Sequence, residues 1–384
     1  MFNISHSMQP TLGIDISNSR VRVLQLSAHK QRYRIDHIAS YPLPENCISE
    51  RVISNIESVA QCIKKAVQQS RSQAKQCIMA VPGSSVMSKI ISMPADLSDE
   101  ELEAQINLEA DQHIPFPLNE VNIDYHVIEG NQTATDQIDV LLVCSKTSNI
   151  ASRVAVAELA DLTPIVIDIE SYITERSFPY LKTVHSQSAL TNSSQLAPEE
   201  QDQQEHKTVA IFDIGATVTS LNVIQDGQLI YTREHDFGGK QLTEQIMEAY
   251  QSDFQTAEHR KLSKRLSDDG LLDNGLLDND RLDDYEIKIL KPFKHTLAQQ
   301  CNRCLQFFYS VKPSIPVQQI LLCGGCANIT DIDDIVEQTL DIPTNVIDPL
   351  ANLDCCASID KTLLKLESSS FLVALGLALR QFAH

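Results

Sequence analysis

The pattern of apolar and polar positions is clearest between Thr208 and Thr243. Val209 to Phe212 is an unbroken apolar run that ends in Asp213 and Gly215, which predicts a buried strand delivering a carboxylate to a tight turn. A second strand is predicted from Thr217 to Ile224, Asp226-Gly227 supplies a hairpin turn, and Leu229 to Arg233 returns as a third strand. Gly238-Gly239 follows, and then a helix with Lys240 and Thr243 in its first turn. Such an order suits a phosphate site: backbone N–H groups at turns can face phosphate oxygens, and a carboxylate can hold a hydrated Mg²⁺.

A weaker copy of the pattern lies near the start. Thr11 to Ile16 predicts a strand carrying Asp15, Ser17-Asn18-Ser19 a small-residue turn, and Val21 to Leu26 a return strand. Two acidic strand ends, each followed by small residues, predict two related halves facing one another across a cleft.

Between them the periodicity changes more than once. Ser54 to Ser70 reads as a helix, with Ile56, Val59, Ala60, Ile63 and Val67 on one face, and Cys77 to Val81 returns as a strand ending in Pro82-Gly83. Residues 84–160 read as an inserted α+β subdomain: a strand near Val86 to Met93, a helix, strands at Val121 to Ile128 and Asp139 to Ser145, and a second helix. The first of those helices opens on a capping box, Ser98 with Glu101, and must stop near His113 because Pro115 and Pro117 cannot continue it. The stretch from His113 to Pro117 is either a packed turn or part of a docking surface. Pro164 to Glu170 predicts another apolar strand.

Residues 186–206 are rich in Ser, Gln, Glu and Asn and read as a linker. The expected division is therefore 1–83 with 161–185 as a first domain, 84–160 as the insert, and 207–239 with 312–384 as a second domain core. Residues 240–311 form a helical subdomain in this division, with an acidic loop over 267–284 containing Gly-Leu-Leu-Asp-Asn twice.

Composition narrows the function. A chain of 384 residues with 42% hydrophobic and 21% charged residues has enough apolar material for two cored domains. A formal charge of −20 argues against general nucleic-acid binding, which needs a positive footprint. Ten cysteines without a signal pattern point to free thiols and a reduced, cytoplasmic compartment. The apolar run Phe371 to Leu379 is far shorter than the ~20 residues that cross a bilayer and reads as a buried helix.

Two metal patterns are set aside on context. Cys301-x2-Cys304 and Cys323-x2-Cys326 satisfy a zinc-ribbon spacing, but Phe293, Leu297, Cys301, Cys304 and Phe308 form the apolar stripe of a helix, so core packing explains the first pair. Cys323 and Cys326 bracket Gly324-Gly325 after a predicted strand and read as small buried fillers. The acidic loop lacks the EF-hand glutamate at its twelfth position.

Three strand ends now stand in order: Asp15-x-Ser17-x-Ser19, Asp213-x-Gly215, and Gly324-Gly325 with Asn328. In that order they resemble the two phosphate loops and the adenosine loop of the actin-like ATPase superfamily. Within it the chain resembles the PilM family of type IV pilus assembly proteins, through GIDISNSRVRVLQLS, QINLEADQHIPFPLNEVNIDYHVI, FDIGATVTSLNV, YTREHDFGGKQLTEQI and LLCGGCANI.

The resemblance implies an actin-like, ribonuclease H-like two-domain α/β fold with a small α+β insert, in general form like that of FtsA. It implies ATP with Mg²⁺ as cofactors: Asp15 and Asp213 toward the metal, Ser17, Ser19, Gly215 and Thr217 toward the phosphates, Gly238 and Gly239 near the ribose, and Gly324, Gly325 and Asn328 beside the adenine. Glu170 falls where relatives orient the attacking water.

It also implies partners: the cytoplasmic N-terminal tail of PilN, through it the PilN/PilO/PilP platform at the inner membrane, and further the pilus motor ATPases and PilC. Oligomerisation is left open. Ser17 stands where the superfamily commonly has Gly, which lowers the expectation of hydrolysis relative to binding. A nucleotide-independent scaffold and a sugar kinase-like phosphotransferase are the alternatives.

Overall fold

The computed structural model describes residues 9–29, 32–49, 51–128, 136–181, 207–268, 285–359, 364 and 366–383. The expected linker 186–206 and the Gly-Leu-Leu-Asp-Asn repeats lie outside them. Two mixed sheets share one design. In the first, β1 (Thr11–Ile16), β2 (Arg20–His29) and β3 (Arg32–Pro42) run antiparallel, a two-residue hairpin follows (β4, Ile48–Ser49; β5, Val52–Ile53), and β6 (Gln76–Val81) joins β1 in parallel.

The inserted unit is β7 (Val86–Pro94), β8 (Val121–Ile128) and β9 (Gln137–Lys146), ordered β7-β9-β8. It is covered by a helix whose Leu102, Ile106 and Ala110 pack on Ile91, Met93, Val140 and Leu142. β10 (Thr163–Ile169) completes the first sheet beside β6.

The second sheet repeats the arrangement. β11 (Thr208–Ile214), β12 (Thr219–Gln225) and β13 (Gln228–His235) are antiparallel, and β14 (Gln319–Cys323) and β15 (Thr344–Val346) extend β11 in parallel. The order β13-β12-β11-β14 therefore matches β3-β2-β1-β6, as the two sequence copies predict. A short strand, β16 (Asp354–Cys355), pairs with β3.

The helices are α1 (Ile56–Ser70), α2 (Asp99–His113), α3 (Thr147–Leu159), α4 (Glu170–Ser177), α5 (Gly239–Tyr250), α6 (Phe254–Asp268), α7 (Lys291–Val311), α8 (Ile332–Leu340) and α9 (Leu372–Leu379). Local chemistry accounts for several boundaries. Asn55 caps α1 by accepting from Ser58 N, so the helix begins at Ile56, two residues inside the predicted start at Ser54. Ser98 and Glu101 form the expected reciprocal box at α2. Asp226 and Gly227 both take positive φ, 52° and 86°, the primed turn that matches strand twist.

The cysteine stripe of α7 is buried: Cys301, Cys304 and Phe308 join Phe212, Leu221 and Leu297 in the second core. Cys323 closes β14 and Cys326 lies in the following short helix, both buried.

One element departs from the expected division. The sequence places 312–384 in the second domain, and Leu372 at the start of α9 does pack with Val209, Ile211 and Cys323 of the second sheet, but most of the helix lies on the first, with Phe371, Ala374, Leu375 and Ala378 against Leu24, Leu26 and Ile35. The physical reason is two glycines. A Cβ at Gly13 of β1 would lie 2.6 Å from the Ala378 nitrogen, and one at Gly376 would lie 2.3 Å from the Ile173 side chain of α4. Only backbone without side chains fits both crossings. Among the described residues no helix is long and apolar enough to cross a membrane.

Candidate functional site

The site forms where the ends of β1 and β11 meet across the gap between the sheets. Each strand is buried along its length up to its aspartate, which leaves Asp15 buried and Asp213 partly buried at the ends of the two strands. Cross-strand register puts Arg22 of β2 directly opposite Asp15. Its Nη1 donates to the Asp15 carboxylate at 3.1 Å and to Ser17 Oγ at 3.3 Å, and both charged residues are buried. Its Nε is buried without a partner.

Burial raises the pKa of Asp15 while Arg22 pulls against it. Burial and the charge of Asp15 push Asp213 up to about 6. Glu170, at the first turn of α4, is pushed up to about 8 by burial and by the charges of Asp15, Glu234 and Asp213, with Arg153 opposing. Three carboxylates from three elements thus repel one another, an arrangement that gains from any arriving cation.

The loop tips touch. Asn18 Nδ2 donates to Thr217 Oγ1 across the gap. Within each loop the turn is tied off locally: Ser17 N and Oγ both donate to the Arg20 carbonyl, the Ser19 carbonyl accepts from Leu43 N, and Gly215 N donates to the Val218 carbonyl.

Gly238 and Gly239, expected beside a ribose, lie against the second loop. Gly239 N donates to the Gly215 carbonyl at 3.0 Å, Lys240 N donates to that of Ala216, and a Cβ at Gly238 would come within 2.5 Å of the Gly215 oxygen. Gly324 has φ +88° and a Cβ there would meet Asp213 Oδ1 at 2.3 Å, whereas one at Gly325 would meet nothing within 4 Å. Gly324 therefore seats Asp213, and Gly325 leaves open space. Asn328 Nδ2 donates to Ser369 Oγ at 2.5 Å, and Ser369 in turn donates to the Gly324 carbonyl, so Asn328 braces this loop.

Several participants escaped the sequence reading. Arg22 is one; its signal was its register opposite Asp15 in a two-strand hairpin. Beside Gly239, Lys261 Nζ donates to Thr243 Oγ1 at 2.8 Å, to Glu258 at 2.5 Å and to the Gly239 carbonyl at 3.3 Å, a polar group built by two helices. Glu234 of β13 reaches the first domain: it accepts from Ser84 N at 3.0 Å and pairs with Arg51 Nε at 2.8 Å, while Arg51 Nη2 reaches Asp236 at 2.9 Å. Ser84 is the root of the insert. Nothing in a linear pattern marks such a strap.

Among the described residues no three His, Cys, Asp or Glu side chains come close enough to cage a metal ion. The donor set fits Mg²⁺ in its usual manner, by one or two carboxylates with water and phosphate completing the shell.

The fold is actin-like, and solved structures agree. The chain is similar to the protein of the "PilM-PilN type IV pilus biogenesis complex", at 21% identity over 97% of this chain and 99% of that one, with a TM-score of 0.73. It is similar to the ethanolamine utilization protein EutJ of Carboxydothermus hydrogenoformans at 13% identity, over 96% of this chain and 89% of that one, with a TM-score of 0.51. The sequence model of the family described as type IV pilus assembly protein PilM matches residues 13–382, and the chain belongs to that family.

Proposed function

We propose that this chain is an actin-like ATP-binding component of the type IV pilus machinery that couples its nucleotide state to the cytoplasmic tail of a PilN-type partner. The observation that carries the nucleotide half is the meeting of the two loops at Asn18 and Thr217, with Asp15 and Asp213 at the ends of the strands that feed them and open space at Gly325. Asp15 and Asp213 would hold Mg²⁺ through water; the ion would supply charge neutralisation between phosphates and carboxylates. Ser17, Ser19, Gly215 and Thr217 line the phosphate side, and Lys261 with Glu258 stands beside Gly239 on the ribose side.

Glu170 is the residue to accept a proton from an attacking water. In the ligand-free protein burial and the neighbouring charges push its pKa up to about 8, so it becomes available as a base only when a cation offsets those charges. A carboxylate is a weak base and Ser17 stands in the first loop, so turnover is slow. Nucleotide then serves to set the cleft rather than to be consumed quickly. The Glu234 strap gives that setting an outlet, because a carboxylate on the second domain holds the root of the insert at Ser84.

Partner recognition is supported by the resemblance over nearly the full chain to a protein solved in complex with PilN. On this reading the chain sits at the inner membrane through that partner. A nucleotide-independent scaffold is favoured by one observation: Asn18 already bridges to Thr217 and Arg22 already neutralises Asp15.

Titrating a PilN-type tail peptide with and without Mg·ATP separates the two. A change in affinity supports the switch, and by reciprocity the peptide must change nucleotide affinity by the same factor. Equal affinities with demonstrated ATP binding leave a nucleotide-binding scaffold without coupling; no ATP binding leaves the plain scaffold.

A further inference from the structure

Two exposed surfaces far apart in the sequence carry complementary chemistry. On α7, Arg303, Phe307 and Val311 recur at intervals of four on the solvent side, with Phe307 37% and Val311 64% exposed. The Arg233 guanidinium from β13 stacks 3.8 Å from the Phe307 ring centre, and that of Arg303 lies 6.0 Å from it. Two arginines thus lie against one exposed phenyl ring in a chain of net charge −20.

The second surface is the outer side of α2. Leu102, Ile106 and Ala110 face its own sheet, so Ala104 and Leu108 point the opposite way, with Glu100 and Asp111 on the same face. Leu108 is 75% exposed. An exposed leucine in the middle of an acidic helix face does nothing for the fold of the insert. Phe307 and Val311 offer an apolar contact for Leu108, and Glu100 and Asp111 are opposite in charge to Arg233 and Arg303.

We propose that copies of this chain dock on one another in a heterologous manner, the α2 face of one copy against the α7 face of the next. The two faces belong to different units of one chain. A heterologous contact does not use up both faces of either copy, so it can extend beyond a dimer. The contact buries little more than one helix face per partner, which places it among weak, concentration-dependent interfaces. Charge selects the occupant: most of the chain's surface is negative and repels itself, and the arginine–phenyl patch is where an acidic apolar helix is received.

The test uses the full chain. Sedimentation velocity of the wild type over about 1–200 μM in low salt is expected to show growing oligomers. Leu108→Arg spoils the α2 face and keeps the α7 face; Arg303→Glu does the reverse. Each alone is expected to remain monomeric across the range. Mixed at equal concentration they are expected to form a one-to-one complex that grows no further, since the intact α2 face of one variant meets the intact α7 face of the other. Pairing on mixing also shows that both variants are folded.

A wild type that stays monomeric at the highest concentration overturns the proposal. So does self-association of either variant at the wild-type level, or assembling wild type with variants that fail to pair when mixed.

Discussion

Adding one methyl group at Gly324 tests the geometry of the site most directly. The residue sits at φ +88° and ψ 176°, a region open essentially to glycine alone, where an alanine costs about 1–3 kcal/mol. Its Cβ would also lie 2.3 Å from Asp213 Oδ1 and 2.7 Å from the Ile214 nitrogen, so the carboxylate or the end of β11 has to move by about an ångström. Overpacking of that kind adds about 1–3 kcal/mol. Gly324→Ala should therefore destabilise by roughly 3 kcal/mol, a fall in melting temperature of about 6 °C or more for a domain of this size.

Because Asp213 is what moves, affinity for Mg·ATP should fall alongside stability. The control is the next residue. A Cβ at Gly325 would meet nothing within 4 Å, so Gly325→Val should destabilise far less than Gly324→Ala while weakening nucleotide binding at least tenfold. Calorimetry and isothermal titration of the two variants give four numbers. Gly324→Ala melting like wild type would refute the seating role, and Gly325→Val binding ATP normally would refute the placement of the nucleotide.

Three more outcomes follow from the electrostatics and the strap. Glu170 holds its proton more tightly folded than unfolded, so this group alone should lower ligand-free stability as pH rises from about 5 to 8, by at most about 1.4 kcal/mol per unit. Asp213 adds to the fall below about pH 6, so urea midpoints should show the Glu170 slope most cleanly between about pH 6 and 8, where Glu170→Gln should flatten it. Asp213→Asn removes a partly buried charge that Asp15 repels, so the ligand-free protein should gain stability, by about 1 kcal/mol at pH 7.5, while Mg²⁺-dependent nucleotide binding is lost; a loss of stability on thermal denaturation contradicts the repulsion. Glu234→Gln weakens the hold on Ser84 and Arg51, and the tail-peptide titration should then give the same affinity with and without Mg·ATP even though both ligands still bind.

Much of the fold was legible because its signals are local. The apolar run before Asp213, the primed turn at Asp226-Gly227, the box at Ser98 and Glu101 and the α7 stripe each depend on residues a few positions apart. The likeness of the two halves was legible for the same reason, since each hairpin repeats a short pattern.

The site was legible as two aspartates and their loops but not as a working arrangement. Arg22 enters through cross-strand register, Glu234 through contact with residues far away in sequence, and the Lys261 group through packing of one helix on another. Gly238 illustrates a subtler limit. A conspicuous glycine marks close approach, but the neighbour turned out to be the chain's own Gly215 loop. The place of α9 was illegible for a related reason, because a uniformly apolar helix carries no mark of which sheet it will mainly cover.

The crossing of Gly13 with α9 bears on how the molecule is made. β1 emerges early in synthesis, and the helix that lies on it emerges only after the insert and the second sheet have been produced. Until then the face around Leu24 and Ile35 has no cover, and the first domain cannot close. Such a long-range closure slows folding and lengthens the time apolar surface is open to misassociation. A ribosome-bound chain stalled anywhere before α9 should therefore display the first sheet to chaperones, and its release into a protease-resistant state should wait on the arrival of Gly376.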